Sequence, residues 1–129
     1  MSWQDYVDIE LIGSGYCRSA AIIGMDGSMF ASTQTLALEK EEIGNVIVLF
    51  GDAKKRVAGN TLTLKQREYV IQTATERTIQ LGTDANDSGA VLVKTRQMVL
   101  VATWADWIRP ERCLFVVESL ADYLLQKGF

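Results

Sequence analysis

The chain has 129 residues, of which 48% are hydrophobic and 22% are charged, and its formal net charge is −3. This length and composition are typical of one folded domain, which we expect to span residues 1–129. The acidic balance disfavours nucleic acid as a partner, because affinity for phosphate backbones depends on basic charge. No apolar run approaches the roughly 18 residues of a membrane span and the N-terminus lacks the pattern of a secretory signal, so we expect a cytoplasmic protein whose Cys17 and Cys113 are free thiols.

The first predicted element is an amphipathic helix that carries aromatic residues. Ser2 is suited to the N-cap, and Asp5, three residues on, is suited to be the acid of a capping box. Aromatic and aliphatic residues then follow at helical spacing from Trp3 to Leu11. The segment Gly13-Ser14-Gly15 lies where the pattern stops, so we expect it to end the helix.

Two strands and a helix are predicted next. The Asp26-Gly27 pair is a strong signal for a tight turn between two antiparallel strands. The patterns on either side of it, and those that follow, predict a strand over 16–24, a returning strand over 28–32, a helix over 39–50 and a short turn of helix over 54–58.

The second half of the chain alternates short apolar segments with polar turns. It predicts strands over 61–64, 69–74, 77–81, 90–95 and 98–104. Residues 91–93 and 99–101 are apolar at every position, so these strands need cover on both faces of the sheet. Pro110 suits the first turn of a last helix, whose predicted buried stripe is Cys113, Val116, Val117, Leu120, Ala121 and Leu124. The order of elements predicts an α+β domain with an antiparallel sheet and helices on both faces.

Several kinds of catalytic site are excluded by composition. The chain has no histidine, which removes Ser-His and Cys-His nucleophilic catalysis and the commonest metal ligand. The Gly13-x-Gly15 sequence lacks a third glycine and follows a predicted helix, so it is not a dinucleotide-binding motif. We therefore expect a binding protein and not an enzyme, with no cofactor and no metal site.

Three features have both a structural and a functional interpretation. The spacing of Trp3 and Tyr6 fits either core anchoring or an exposed aromatic platform. Phe115 falls with the acidic residues of the last helix, away from its apolar stripe, and is either a solitary exposed side chain or part of a partner surface. The basic run over 54–56 is either a solvated charge cluster or a binding patch.

Segments along the whole chain resemble the profilin family. They are SWQDYVD at 2–8, LIGSG at 11–15, AAIIG at 20–24, VKT at 93–95, LADYL at 120–124 and the final GF. The overall pattern is similar to short profilins of single-celled eukaryotes. The resemblance implies a central antiparallel β-sheet with the N- and C-terminal helices packed together on one face and smaller helices on the other. It also implies binding of monomeric actin, of poly-L-proline segments and of phosphoinositides.

The resemblance also assigns residues to sites. The proline-binding groove maps to Trp3, Tyr6, Phe30, Tyr123, Leu124 and Phe129. The actin-binding face maps to Lys55, Arg56, Val57, Ile71, Thr73, Lys94, Arg109, Leu114, Phe115 and Glu118. Phe30 stands where many profilins have tryptophan, Thr73 where an arginine is common, and Phe115 where a small polar residue is usual.

The implied function is regulation of actin polymerisation. The protein would bind actin monomers and dock on proline-rich assembly factors such as formins, in the cytoplasm and at the cytoskeleton. Asp84 and Asp87 lie in a loop that is often basic in the family, so phosphoinositides are expected to bind at most weakly. One alternative is a profilin-like module that binds polyproline with weak or no actin binding. Another is a small-ligand sensor domain of similar α+β shape.

Overall fold

The computed structural model describes residues 2–129. Its centre is a sheet of antiparallel strands in the spatial order β2-β1-β7-β6-β5-β4-β3. The strands are β1 (Ser19–Gly24), β2 (Met29–Ser32), β3 (Thr61–Leu64), β4 (Arg67–Ala74), β5 (Thr78–Gly82), β6 (Ser88–Lys94) and β7 (Met98–Ala105). The helices are α1 (Trp3–Asp5), α2 (Lys40–Gly51) and α3 (Pro110–Gln126).

The N-terminal helix is a continuous segment of changing pitch. It begins with α1, continues as a π-helical stretch over Tyr6–Leu11 and ends with a 3₁₀ turn over Ile12–Ser14. The predicted capping box is present, because the Ser2 hydroxyl accepts from the Asp5 amide at 3.1 Å and the Asp5 carboxylate accepts from the Ser2 amide at 3.1 Å. The segment ends at Gly15, whose φ of 84° lies in the left-handed region that glycine adopts without a Cβ clash.

Each face of the sheet is covered by its own hydrophobic core. The N-terminal helix and α3 pack on one face, against residues such as Ile22 and Val93. The helix α2 and a 3₁₀ turn over Gln34–Leu36 cover the other face, against residues such as Ile23 and Leu92. Successive residues of a strand point to opposite faces, so uninterrupted apolar strands supply both cores. The predicted placement of helices on both faces is confirmed.

The last helix has the predicted buried stripe with one exception. Cys113, Val117, Leu120, Ala121 and Leu124 are buried, whereas Val116 is half-buried. Pro110 is its first residue, as expected. Within residues 2–129, no helix combines the length and the hydropathy needed to cross a membrane.

The prediction of a helical turn over 54–58 is wrong. This segment forms hydrogen-bonded turns, with the Lys55 amide donating to the Asp52 carbonyl at 3.0 Å. Just beyond it the chain pairs with β4, since the Gly59 amide donates to the Ile71 carbonyl at 2.9 Å and the Ile71 amide to the Asn60 carbonyl at 2.8 Å. Gly59 has a φ of 96°, in the left-handed region, so the chain turns here towards β4 and does not continue as a helix.

Candidate functional site

A group of half-buried and exposed aromatic rings at the surface centres on Trp3. The indole stacks on the Phe30 ring with centroids 5.5 Å apart and meets the Phe129 ring edge-on at 5.0 Å. The Tyr6 ring lies 5.6 Å from Trp3 and 6.3 Å from the Tyr123 ring. All these separations fall in the range of favourable aromatic pairs. We call these residues, Trp3, Tyr6, Phe30, Tyr123 and Phe129, the aromatic platform.

Backbone contacts fix the platform from two sides. The Gln4 side-chain amide donates to the Ser32 carbonyl at 3.0 Å, which ties the N-terminal helix to β2 and therefore to Phe30. The main-chain oxygen of Phe129 accepts from the Gln97 amide at 2.9 Å and from the Thr95 hydroxyl at 3.0 Å. The C-terminal ring is therefore held against the turn between β6 and β7.

The structure brings together all the predicted proline-groove residues except Leu124, whose assignment as a contact residue needs correction. Leu124 is fully buried in the core beneath the terminal helices, so its side chain cannot contact a ligand. Its carbonyl accepts from the Phe129 amide at 2.9 Å. Leu124 therefore supports the platform from below by packing and by positioning the C-terminal residue.

The two tyrosines supply hydrogen-bonding groups at one end of the platform. Burial, followed by the neighbouring Tyr123 phenol and the Glu10 carboxylate, raises the pKa of Tyr6. The Tyr6 hydroxyl therefore stays protonated at neutral pH and can donate to a ligand carbonyl. Tyr123 is 44% exposed, and the Lys127 ammonium lies 5.5 Å from its ring centroid.

A groove of about 430 Å³ continues from the platform between the N-terminal helix and α3. It begins at Tyr6 and Tyr123 and extends past Glu10 to Ser14 and Phe115. Phe115 is 70% exposed, as its position off the buried stripe of α3 predicts. This aromatic side chain lies at the groove end remote from Tyr6 and Tyr123.

Predicted actin-face residues from β4, β6 and α3 come together on a polar surface. Thr73 and Glu118 line one depression, where the Gln80 side-chain amide donates to the Thr73 hydroxyl at 3.1 Å. Glu118 accepts from the Thr78 hydroxyl at 3.2 Å. Lys94 lines a neighbouring depression, and both depressions include Arg77.

Two residues of the predicted actin face have structural roles. Ile71 is 1% exposed in the core beneath α2, because its position in β4 points to that face of the sheet. The Arg56 guanidinium donates to the Leu49 and Phe50 carbonyls, each at 2.9 Å, and so satisfies the C-terminal carbonyls of α2. We therefore correct the assignment of Ile71, which is a core residue. Arg56 caps a helix while remaining half-buried, and its contact with actin stays a prediction.

The remaining predicted actin-face residues lie at the surface in two places. Lys55 and Val57 are exposed in the turn after α2, beside β4. Arg109 is exposed at the N-cap of α3, and Leu114, on its first turns, is half-buried against the core beneath the terminal helices.

Arg77 is the main residue of this surface that the sequence prediction missed. Its guanidinium forms an ion pair with Asp122 at 2.8 Å and also donates to the Glu118 carbonyl at 3.2 Å. Its Nε is buried and has no hydrogen-bond partner among the described residues. In the sequence Arg77 is an ordinary charged residue of a hairpin, and only its contact with α3 distinguishes it.

The two cysteines are free thiols, as expected, but they are neighbours. The Sγ atoms of Cys17 and Cys113 lie 3.9 Å apart in the core beneath the terminal helices. The hydrogen bond with Cys17, together with burial, raises the pKa of Cys113. Among residues 2–129, no group of three or more His, Cys, Asp or Glu side chains is placed to hold a metal ion.

Comparison with known proteins gives one consistent family. A family model described as Profilin matches residues 1–129. Profilin-A of Physarum polycephalum is 39% identical, and the alignment covers 100% of both chains. The solved structure of Acanthamoeba castellanii profilin IA is 34% identical with a TM-score of 0.91, covering 99% of this chain and 100% of that one. A more distant structure, a LokiProfilin2 complex with rabbit actin, is 20% identical with a TM-score of 0.79 over 98% of each chain, and supports the fold alone.

Proposed function

Because the chain belongs to the profilin family, we propose that it binds actin monomers and proline-rich segments and so regulates actin polymerisation. The family comprises non-enzymatic actin-binding proteins that are generally cytoplasmic. The observation that carries the proposal is the aromatic platform, which joins residues from both ends of the chain in one surface. Its ligands would be proline-rich assembly factors such as formins, and its place of action the cytoskeleton.

The platform suits a polyproline helix for two physical reasons. A polyproline segment is ordered before it binds, so little conformational entropy is lost when its rings enter slots between aromatic side chains. Its carbonyls make no internal hydrogen bonds and accept from the Trp3 indole N–H and the tyrosine hydroxyls. Phe30 contributes stacking area without an indole N–H, which makes the proposed groove less polar than one with tryptophan there.

The proposed actin site combines an apolar anchor with basic charge. Phe115, at 70% exposed, supplies the apolar contact, and Lys94 lies with Arg77 and Arg96 around one depression. Exposed aromatic side chains at the centre of an interface commonly carry much of its binding energy, and rim charges mainly raise the association rate.

The proposal is tested by two titrations carried out in parallel. Actin monomers are added in one and a proline decamer in the other, with calorimetry as the readout. Binding to both ligands is expected, and binding of one should leave the affinity for the other largely unchanged if the platform and Phe115 contact different partners. A folded protein that binds neither ligand would refute the proposed function.

A specific observation supports the alternative of a polyproline module with weak actin binding. Thr73 replaces an arginine that is common in the family, Ile71 is buried, and Arg56 is occupied at the end of α2. The actin face therefore presents fewer charged contacts than the resemblance implies. Calorimetric titrations that show binding of the proline decamer but no detectable binding of actin would favour this alternative.

Phosphoinositide binding is proposed to be at most weak. Asp84 and Asp87 are exposed in the loop before β6 and would repel anionic headgroups, whereas each basic residue near a membrane contributes only about 1 kcal/mol. The exposed Lys54 and Lys55 would account for residual binding at low salt. Sedimentation with phosphoinositide vesicles should therefore show binding that disappears near physiological ionic strength, and salt-resistant binding would contradict the proposal.

A further inference from the structure

A second concave site lies on the side of the sheet away from the terminal helices. It has a volume of about 290 Å³. Its apolar lining residues, Leu36 and Leu64, belong to the core beneath α2. We call it the basic pocket, and its polar lining consists of Arg18, Ser19, Thr35, Lys65, Arg67, Tyr69 and Thr103. None of these residues belongs to the aromatic platform or to the proposed actin site.

Three cationic side chains surround the basic pocket without a carboxylate partner. Arg18 lies just before β1, and Lys65 and Arg67 flank the start of β4. Within the part of the chain that the structure describes, the ion pair of Arg77 with Asp122 is the only one within 4.0 Å. The positive charges of Arg18, Lys65 and Arg67 are therefore uncompensated, although the chain as a whole has a net charge of −3.

Two carboxylates that contact residues next to these cations, Glu42 at Gln66 and Asp87 at Ser88, already have hydrogen-bond donors. Glu42 accepts from the Glu39 amide at 2.9 Å and from the Gln66 amide at 3.2 Å. Asp87 accepts from the hydroxyls of Thr83 and Ser88, at 3.1 and 3.3 Å. Both carboxylates are held by main-chain or hydroxyl groups and not by the basic side chains.

Two of the cations are positioned by contacts at the rim. The Lys65 ammonium donates to the Ala37 carbonyl at 2.9 Å. The Arg67 guanidinium donates to the Ser88 hydroxyl at 3.3 Å through one nitrogen, so its other donors remain available. Arg18 makes no hydrogen bond to another described residue through its side chain. A guanidinium with free donors is the group best matched to the oxygens of a phosphate.

The interior of the basic pocket presents hydroxyl groups. Ser19, Thr103 and Tyr69 are only 4–5% exposed. The Ser19 and Thr103 hydroxyls share one hydrogen bond, which leaves one of their two hydrogens free to donate. Tyr69 lines the same pocket as Arg18 and Arg67; burial raises the pKa of Tyr69, and the charges of Arg67 and Arg18 oppose that rise. Cations at the rim and neutral donors at the floor are the arrangement that a phosphate group requires.

We propose that the basic pocket binds the phosphate groups of a small soluble phosphate ester. Arg18 and Arg67 bind the phosphate oxygens, Lys65 adds a further charge, and the Ser19–Thr103 pair donates from the floor. A membrane-borne phosphate is the less suitable source, because a lipid surface would also meet the acidic loop that contains Asp87, next to Ser88 and Arg67. A small ligand enters without bringing a second negative surface to that loop.

The test compares two variants that lose the same charge in different places. Arg18→Gln/Arg67→Gln, the arginine variant, removes the guanidinium groups of the basic pocket. Arg112→Gln/Lys127→Gln, the control variant, removes two exposed positive charges at the two ends of α3, on the opposite face of the sheet. Inorganic phosphate and inositol trisphosphate are titrated by calorimetry and by amide NMR at physiological salt. We expect the unaltered chain to bind both probes, with amide shifts at Ser19 and Thr103. The arginine variant should lose at least about tenfold in affinity for inositol trisphosphate, or ~1.4 kcal/mol, and the control variant should change by less than about twofold.

The possible outcomes distinguish phosphate binding in the basic pocket from non-specific electrostatic binding and from binding of a lipid headgroup. No binding by the unaltered chain, equal losses in both variants, or amide shifts confined to other regions would each overturn the proposal. If the arginine variant does not fold, Arg18→Gln alone is used, because Arg18 makes no side-chain hydrogen bond that the fold requires. Vesicles of phosphatidylcholine with phosphatidylinositol bisphosphate form a third arm. Vesicle binding that is lost in the arginine variant would keep the site and identify the lipid headgroup as its phosphate source.

Discussion

Replacing Trp3 with alanine tests the aromatic platform most directly. The indole contacts the rings of Phe30, Phe129 and Tyr6 at 5.0–5.6 Å. Each such pair contributes about 0.5–1.5 kcal/mol beyond the buried area. Because Trp3 is half-buried, we expect the three pairs together to contribute near the lower end of their added range, about 2 kcal/mol of the free energy of unfolding. For a domain of this size, that loss corresponds to a fall of roughly 6–10 °C in the melting temperature.

The loss of ligand affinity should be separable from this loss of stability. Removing the central ring and its N–H should weaken binding of a proline decamer at least about tenfold, equivalent to ~1.4 kcal/mol. Calorimetry at a temperature well below the melting transition is the suitable assay, since the variant lacks the fluorophore of the site. Trp3→Phe keeps the stacking without the N–H and should recover part of the affinity.

Trp107 provides the matched control. It is 68% exposed, so Trp107→Ala should leave both the melting temperature and the decamer affinity nearly unchanged. A folded Trp3→Ala variant that binds the decamer as tightly as the unaltered chain would refute the platform. Equal losses in the Trp3 and Trp107 variants would show that decamer binding does not depend on the contacts described.

Further expectations follow from exposure, charge and burial. Phe115→Asp should leave the melting temperature nearly unchanged, because the ring is 70% exposed, and should weaken actin binding at least about tenfold; unfolding of this variant would show that Phe115 is a core residue. Lys94→Glu should mainly slow association with actin and reduce its salt dependence, which stopped-flow measurements at two ionic strengths would test. Because the pKa of Tyr6 is raised, its hydroxyl stays protonated below about pH 10, so decamer affinity should be constant from about pH 6 to 9 and fall only above that range; a decline near neutral pH would contradict this role. Neither Cys17 nor Cys113 should react with a thiol reagent such as Ellman's reagent before unfolding, since they are 3% and 0% exposed, and rapid labelling of the folded chain would disprove this.

Much of the fold follows from local signals in the sequence. The capping box of Ser2 and Asp5 and the tight turn at Gly27 are set by residues close together in the chain. The uninterrupted apolar strands β6 and β7 indicate cover on both faces, and the buried stripe of α3 follows from helical spacing. These predictions were confirmed because helix caps, tight turns and periodicity depend on interactions within a few residues.

Which predicted residues belong to the two binding sites depended on the contacts that the tertiary structure makes. Periodicity shows that one face of an element is apolar, but not which neighbour covers it. Ile71 was therefore assigned to the actin face although it is a core residue. For Leu124, helical spacing predicted burial and the resemblance predicted ligand contact, and the structure confirms the burial. The capping of α2 by Arg56 has the same cause, since the carbonyls it binds are defined only once the chain has turned back.

Contacts between remote segments were decided by the order of strands in the sheet and by the packing of its two faces. Trp3 meets Phe129 because the two terminal helices share one face. Cys17, just before β1, lies 3.9 Å from Cys113 because α3 packs on that same face. Arg18 and Arg67 line one pocket only because the turn between β3 and β4 lies near the start of β1. The sequence by itself determined the elements and their apolar faces. The tertiary structure alone decided which distant side chains became neighbours, because those pairings are selected by the packing energy of the whole domain and not by any local pattern.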